Sequence, residues 1–148
     1  MNTEKINKYC RTYCVGDIYC GVYPSDQLPP IRKKKPILFI CNTDASDREG
    51  EHWIAIYVDE NRCGEFFDSF GREPGRPFIT YLNKHCIHWT YNASQLQSII
   101  SGFCGHYCIF YCYYRSRNLN LNAIVAKFTT DTAVNDYLVH KFVCGLKF

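Results

Sequence analysis

Cys104 stands in Gly102-Phe103-Cys104-Gly105-His106-Tyr107-Cys108-Ile109-Phe110-Tyr111-Cys112, at the mouth of a strongly apolar stretch of helix length, with glycine on either side. A reactive thiolate belongs in such a place. Exposed N–H groups and the positive end of a helix dipole stabilise a negative sulfur, and small neighbours let a polypeptide main chain come close. A thiolate that attacks a carbonyl also needs a histidine to accept and return its proton, a group to orient that histidine, and donors for the oxyanion. Upstream lie Gly50-Glu51-His52-Trp53, Phe67-Asp68-Ser69-Phe70-Gly71 and Gln97, in the order His, Asp, Gln, Cys. In this reading His52 is the base, Asp68 the orienting carboxylate and Cys104 the nucleophile. Gln97 helps hold the oxyanion together with the backbone N–H of Cys104. Ser69 competes with Asp68 for the place opposite His52, but a neutral hydroxyl stabilises an imidazolium less well than a carboxylate.

The elements that must position these side chains follow from local patterns. Ile6, Tyr9, Cys10 and Tyr13 have helical spacing, which predicts a short helix over about residues 5–13. Residues 16–30 are dense in Gly, Pro and Asp and read as an ordered surface loop. The continuous apolar run 36–41 predicts a buried central strand. A polar, turn-rich stretch at 43–50 leads into strands at 52–58 and 64–68, joined by 59–63 as a hairpin. A turn centred near Glu60 would pair residues whose numbers sum to about 120 or 121, setting His52 opposite Asp68 or Ser69. Beyond a Gly/Pro loop at 71–77 come a short helix at 78–85, a strand at 87–91, the main helix at 104–117 and an amphipathic helix at 131–142. Residues 118–122 between the last two helices read as a polar linker. Helices segregated from a run of strands predict an α+β fold, a mixed central sheet with flanking helices, in one domain over 1–148.

The bulk numbers agree with a folded globule: 148 residues, 47% hydrophobic, 16% aromatic and 21% charged. A net charge of +3 permits an acidic partner without requiring one. Ten cysteines would suggest a disulfide framework in a secreted chain, yet no apolar run follows Met1, so no signal peptide is expected. No stretch approaches membrane-spanning length. The expectation is an intracellular protein, in host nucleus or cytoplasm, with reduced thiols and no membrane partner.

Other clusters have weaker readings. Cys104, Cys108 and Cys112 recur every four residues, and His85-Cys86-Ile87-His88 and Cys10, Cys14 and Cys20 also hold ligand types. No paired Cys-x-x-Cys knuckles accompany them, so core packing is preferred for Cys108 and Cys112 and no metal is assigned. Trp53 is read as packing. Arg32-Lys33-Lys34-Lys35 is either a solvated loop or a salt-dependent contact for nucleic-acid phosphates.

The order and spacing of these segments resemble the adenain family of cysteine proteases, in particular the adenain-like enzymes of Polinton/Maverick elements and related animal DNA viruses. The residues that carry the resemblance are 19–29, Cys41-Asn42-Thr43, Gly50-Glu51-His52-Trp53, Glu65-Phe66-Phe67-Asp68-Ser69-Phe70-Gly71, and Gln97 seven positions before Cys104-Gly105. The resemblance implies an adenain/ubiquitin-like-protease type fold with the nucleophile at the start of a buried helix. It assigns His52, Asp68, Gln97 and Cys104 the roles already given, with Asp68 where adenovirus enzymes carry Glu. It implies a thiol endopeptidase that cuts after small residues, particularly glycine, in capsid or other structural precursors during particle maturation, inside the cell or the virion. Adenain is also activated by a viral peptide and by DNA. The matching cysteine is Cys86, eleven residues before Gln97, either the partner of such a peptide in a disulfide or a strand thiol that pairs with nothing. DNA at the basic run stays open in the same way, and neither cofactor is needed for the chemistry itself. The alternative is a SUMO/ubiquitin-like deconjugating protease, which shares the residue order. A third reading is a binding protein of the same fold with an idle site. Papain-type enzymes are disfavoured because their nucleophile precedes the histidine.

Overall fold

β2 (Ile37–Asn42) is the strand on which the molecule is laid out, and the computed structural model describes residues 1–32, 35–44 and 52–148 around it. Lys33 and Lys34 of the basic run, residues 45–50 of the polar stretch and Glu51 beside His52 lie outside the described residues. Every β2 side chain up to Cys41 is buried, because the strand is covered on both faces. Leu38 and Ile40 join one core, and Ile37, Phe39 and Cys41 join the other. A period of two along a strand produces that division, and burial on both faces is why the run reads as continuously apolar.

β2 pairs in parallel with β1 (Tyr19–Tyr23) and antiparallel with β3 (Trp53–Val58). β3 pairs antiparallel with β4 (Cys63–Phe67), and β4 in parallel with β5 (His88–Tyr91), so the five strands of the mixed sheet stand in sequence order. One face carries α1 (Thr3–Tyr13), α3 (Cys104–Arg115), α4 (Leu121–Val125) and α5 (Thr132–Gly145), with Tyr107, Ile109, Phe110 and Tyr111 of α3 in the core between them. The other face carries α2 (Arg76–His85), which buries Phe78, Tyr81 and Leu82 against Phe39 and Phe66. Each such apolar side chain removed from water contributes roughly 1.5–3 kcal/mol. This is the expected α+β fold with a mixed sheet and flanking helices. No helix among the described residues is long and apolar enough to cross a membrane.

Three local expectations need correction. The segment read as a surface loop holds β1, an edge strand whose register shifts between Tyr19 and Gly21, where Gly21 has φ +143°. Glycine and proline around it conceal five residues that pair only because β2 lies alongside. α4 begins inside the stretch read as a polar linker and runs beyond it, started by Asn120, whose side chain accepts from Ala123 N–H at 2.9 Å. In the β3–β4 hairpin, paired residue numbers sum to 122, as for Ala55 with Phe67 and Val58 with Gly64. Arg62 at φ +62° takes a left-handed position in the turn, which moves the register from the expected one. His52 therefore lies beyond the end of β3 and is not set opposite Asp68 by strand pairing.

Candidate active site

Asp68 follows β4 directly, and His52 precedes β3. The two meet through their side chains: Nε2 of His52 lies 2.7 Å from Oδ1 of Asp68, with both residues buried. The same carboxylate oxygen accepts the N–H of Phe70 at 2.8 Å, and the ring of Phe70 lies against the imidazole at 4.7 Å between centroids. A turn closed by Gly71 N–H on the carbonyl of Asp68, 2.8 Å, holds this corner. Asn92 clamps it from the other side, accepting from Asp68 N–H at 2.9 Å and donating to Asp68 O at 2.6 Å.

With Nε2 taken by Asp68, Nδ1 is the imidazole nitrogen left for the Cys104 thiol, and each of the two residues favours the charged form of the other. Burial opposes charge on His52, but Asp68 and Cys104 prevail and raise its pKa to about 9. Burial likewise pushes the Cys104 thiol up. His52, the N–H of Trp53 and the N–H of Gly105 outweigh it and bring the thiol below the ordinary cysteine value. Burial pushes Cys41, Cys86, Cys108 and Cys112 in the opposite direction. The charged state of the pair is a thiolate beside an imidazolium, held in line by a carboxylate.

Helix α3 contributes through what its start lacks. Phe103 occupies the N-cap and offers no capping side chain, so the first N–H groups stay available, and that of Gly105 favours the negative sulfur. The two glycines beside Cys104 have different duties. A Cβ at Gly105 would meet Ile6, Met1 and Trp53 at 3.3–3.5 Å, so this residue lets α3 pack closely on α1 and β3. At Gly102 a Cβ would meet nothing within 4 Å among the described residues.

Gln97 is 1% exposed and sits in the segment between β5 and α3. Its Oε1 accepts from the Ser69 hydroxyl at 2.5 Å, and its Nε2 donates to the carbonyl and hydroxyl of Ser101 at 2.9 and 3.1 Å. His52 is thus hydrogen-bonded to Asp68 and coupled electrostatically to Cys104, and Gln97 is joined to this corner through Ser69, the neighbour of Asp68. Asn92, Ser69, Ser101 and the main chain of Trp53 were not singled out for such parts by sequence. An Asn after a strand and a Ser in a turn have no pattern to mark them.

The remaining candidates lie elsewhere. Cys86 is the C-cap of α2 and not a strand residue; it is 9% exposed, packed against Gly64, and burial pushes its thiol up to about 11. Cys108 and Cys112 are buried in the core on the α3 side. Arg32 of the basic run is engaged with the carbonyls of Asp17, Ile18 and Pro36 and with the carboxylate of Asp17.

The sequence is 30% identical over 115 residues to a protein of African swine fever virus named SUMO-1 cysteine protease, a match covering 70% of this chain and 42% of that protein. A second isolate's counterpart, with the same identity and coverage, is named cysteine protease. The chain therefore spans about two fifths of the length of the curated relatives it matches. Among solved structures, a crystal structure of the African swine fever virus protease superposes with a TM-score of 0.55 at 25% identity, covering 72% of this chain and 43% of that one. Another crystal structure of that protease reaches a TM-score of 0.68 at 18% identity over 94% of this chain and 66% of the other. ChlaDub1 from Chlamydia trachomatis has a TM-score of 0.52 at 15% identity over 74% of this chain and 57% of its own, a likeness of fold. No family model matches the sequence. The likeness is to cysteine proteases of this fold, and not specifically to those of adenoviruses or Polinton elements.

Proposed function

We propose that this chain is a cysteine endopeptidase, and the observation that carries the proposal is the line from Asp68 through His52 to a Cys104 thiol held below its ordinary pKa. The Cys104 thiolate attacks the scissile carbonyl carbon, and the carbonyl electrons move onto oxygen. The N–H of Cys104, which has no intrahelical partner at the start of α3, and the amide of Gln97 receive that oxyanion. Nδ1 of His52 gives its proton to the leaving amine as the C–N bond breaks. Water, deprotonated by the same nitrogen, then attacks the thioester and restores the thiol. Asp68 keeps the ring in place and stabilises the imidazolium throughout.

For substrate we favour structural precursor polypeptides of a virus or virus-like element, cut after small residues, inside the cell or the assembling particle. Support comes from the sequence resemblance and from the open space around Gly102, two residues before the thiol. The second reading, a SUMO/ubiquitin-like deconjugating protease, is favoured by the name SUMO-1 cysteine protease given to a 30%-identical relative. Activation by a peptide at Cys86, or by DNA, belongs to the first reading.

The deciding experiment incubates the protein and Cys104→Ala with glycine-containing precursor peptides and, separately, with ubiquitin-like domains fused through their C-terminal glycine. Cleavage of peptides alone supports precursor processing, and cleavage of the fusions alone selects deconjugation. Each assay is repeated with added peptide cofactor or DNA. If neither substrate is cut under any of these conditions while Cys104 is no more reactive than the other thiols, the idle-site reading replaces both.

A further inference from the structure

Asp68 and Ser69 are consecutive, and their side chains serve two different residues. The carboxylate of Asp68 takes His52, and the hydroxyl of Ser69 takes Gln97. Ser69 and Gln97 are each 1% exposed, so the contact between them is fully withdrawn from water. The carbonyl of Ser69 also accepts the N–H groups of Leu96 and Gln97, at 2.9 and 3.0 Å. Gln97 is therefore held at its main chain and at its side chain by one residue.

A buried carboxamide has two ends of nearly equal size and opposite polarity, and only its partners decide which way round it sits. At 2.5 Å from Oε1, the Ser69 hydroxyl must be the donor, which fixes the oxygen end. The carbonyl of Ser101 at 2.9 Å from Nε2 fixes the nitrogen end in agreement. A carboxamide nitrogen carries two protons, and Ser101 takes both, one on its carbonyl at 2.9 Å and one on its hydroxyl at 3.1 Å; the longer contact, to the hydroxyl, is the one a substrate oxygen can displace. Without the hydroxyl, Oε1 would be a buried acceptor with no partner, a state that favours rotation of the amide away from its present position.

We infer that Ser69 is the positioning residue of the oxyanion site, holding the oxygen of Gln97 so that an amide N–H faces the substrate oxygen. The inference rests on the endopeptidase reading, in which Gln97 is an oxyanion donor. The dipeptide after β4 then sets both halves of the reaction: its first residue orients the proton carrier, and its second orients the charge acceptor.

The test compares wild type, Ser69→Ala, Ser69→Thr, Gln97→Ala and the double variant Ser69→Ala with Gln97→Ala, on a peptide substrate and on iodoacetamide. Displacement of iodide at a saturated carbon develops no oxyanion, so alkylation of Cys104 reads the thiolate alone. Ser69→Ala is expected to lower kcat about 10- to 100-fold with KM within about twofold, because an oxyanion donor acts only in the transition state. Alkylation should keep its wild-type rate, Ser69→Thr should recover most of kcat, and the double variant should be no slower than Gln97→Ala. Should Ser69→Ala melt before the assay temperature, Ser69→Cys, which keeps the volume with a weak donor, takes its place. An unchanged kcat, or alkylation slowed by the same factor as hydrolysis, overturns the role given to Ser69. Failure of wild type to cut either peptides or ubiquitin-like fusions, with and without added peptide cofactor or DNA, overturns the endopeptidase reading itself, a separate result.

Discussion

The side chain of Asn92 grips the main chain of Asp68 at both of its polar groups, taking the N–H at 2.9 Å and the C=O at 2.6 Å. It does for Asp68 what a neighbouring strand does for a residue inside a sheet, at the point where β4 has ended. Asn92→Ala leaves a buried donor and acceptor unpaired, at a cost of about 1–3 kcal/mol. The expected outcome is a lower urea midpoint and slower Cys104 alkylation at neutral pH. Asn92→Asp can replace the acceptor but not the donor, and should fall between the two.

Reactivity should follow the pair of pKa shifts at the site. The Cys104 thiol lies below its ordinary value and the His52 pKa is raised to about 9, so thiolate and imidazolium coexist between those limits. Peptide hydrolysis should rise on the acid side as the thiol ionises. It should fall through about pH 9, as His52 loses the proton the leaving amine needs. In His52→Ala the acid limb of alkylation should move to more alkaline pH, because burial then acts on the thiol without its partner. An alkylation profile identical to wild type would refute the pairing.

Gly71 has φ +71°, and a Cβ there would stand 2.5 Å from the carbonyl carbon of Ser94 and 2.6 Å from its oxygen. Both neighbours are main chain and have no rotamer to give. Gly71→Ala should destabilise the fold by more than about 2 kcal/mol and displace the 68–71 turn with it. Thermal melting reads the first effect, and loss of selective Cys104 labelling in the still-folded fraction reads the second.

Glu65 ties β4 to two helices. Its carboxylate accepts from the Tyr111 hydroxyl at 2.6 Å and from Leu121 N–H at 3.0 Å, and stands 3.7 Å from Nε of Arg115. Removing it strands a largely buried guanidinium together with two donors. Glu65→Ala should cost about 3–5 kcal/mol in urea unfolding, and Glu65→Gln less, since the amide retains an acceptor for Tyr111.

His106 lies on α3 two residues after the nucleophile, with Nδ1 buried and without a hydrogen-bond partner among the described residues, and its ring against Phe103 and His140. Burial first, then the charges of His140, the Met1 amino group and Lys5, lower its pKa to about 4. The unfolded chain takes up this proton near pH 6.5, whereas the folded one refuses it until about 4. Stability should therefore decline as pH falls through that interval. Between pH 7 and 4.5 His106→Phe should lose roughly 1–3 kcal/mol less than wild type, measured by urea titration at both values.

Sequence by itself determined the long-period features, because they depend on neighbours in the chain. The apolar run of β2 announced a strand buried on both sides, the spacing of Ile6, Tyr9 and Cys10 announced α1, and the stretch from Cys104 announced α3. Residue chemistry in the order His52, Asp68, Gln97, Cys104 named the candidates. Only the tertiary structure decided how they meet. Strand pairing alone would have set His52 beside Asp68, yet the observed register leaves it outside β3, and the contact is made by side chains across a turn. β1 was hidden because an edge strand rich in Gly and Pro is stabilised by its neighbour and not by its own propensity. Asn92, the Ser69 hydroxyl and the N–H of Trp53 were invisible for the same reason. A hydrogen bond between residues 24 or 28 positions apart has no local signature, and exists only once the sheet and α3 have brought its two ends together.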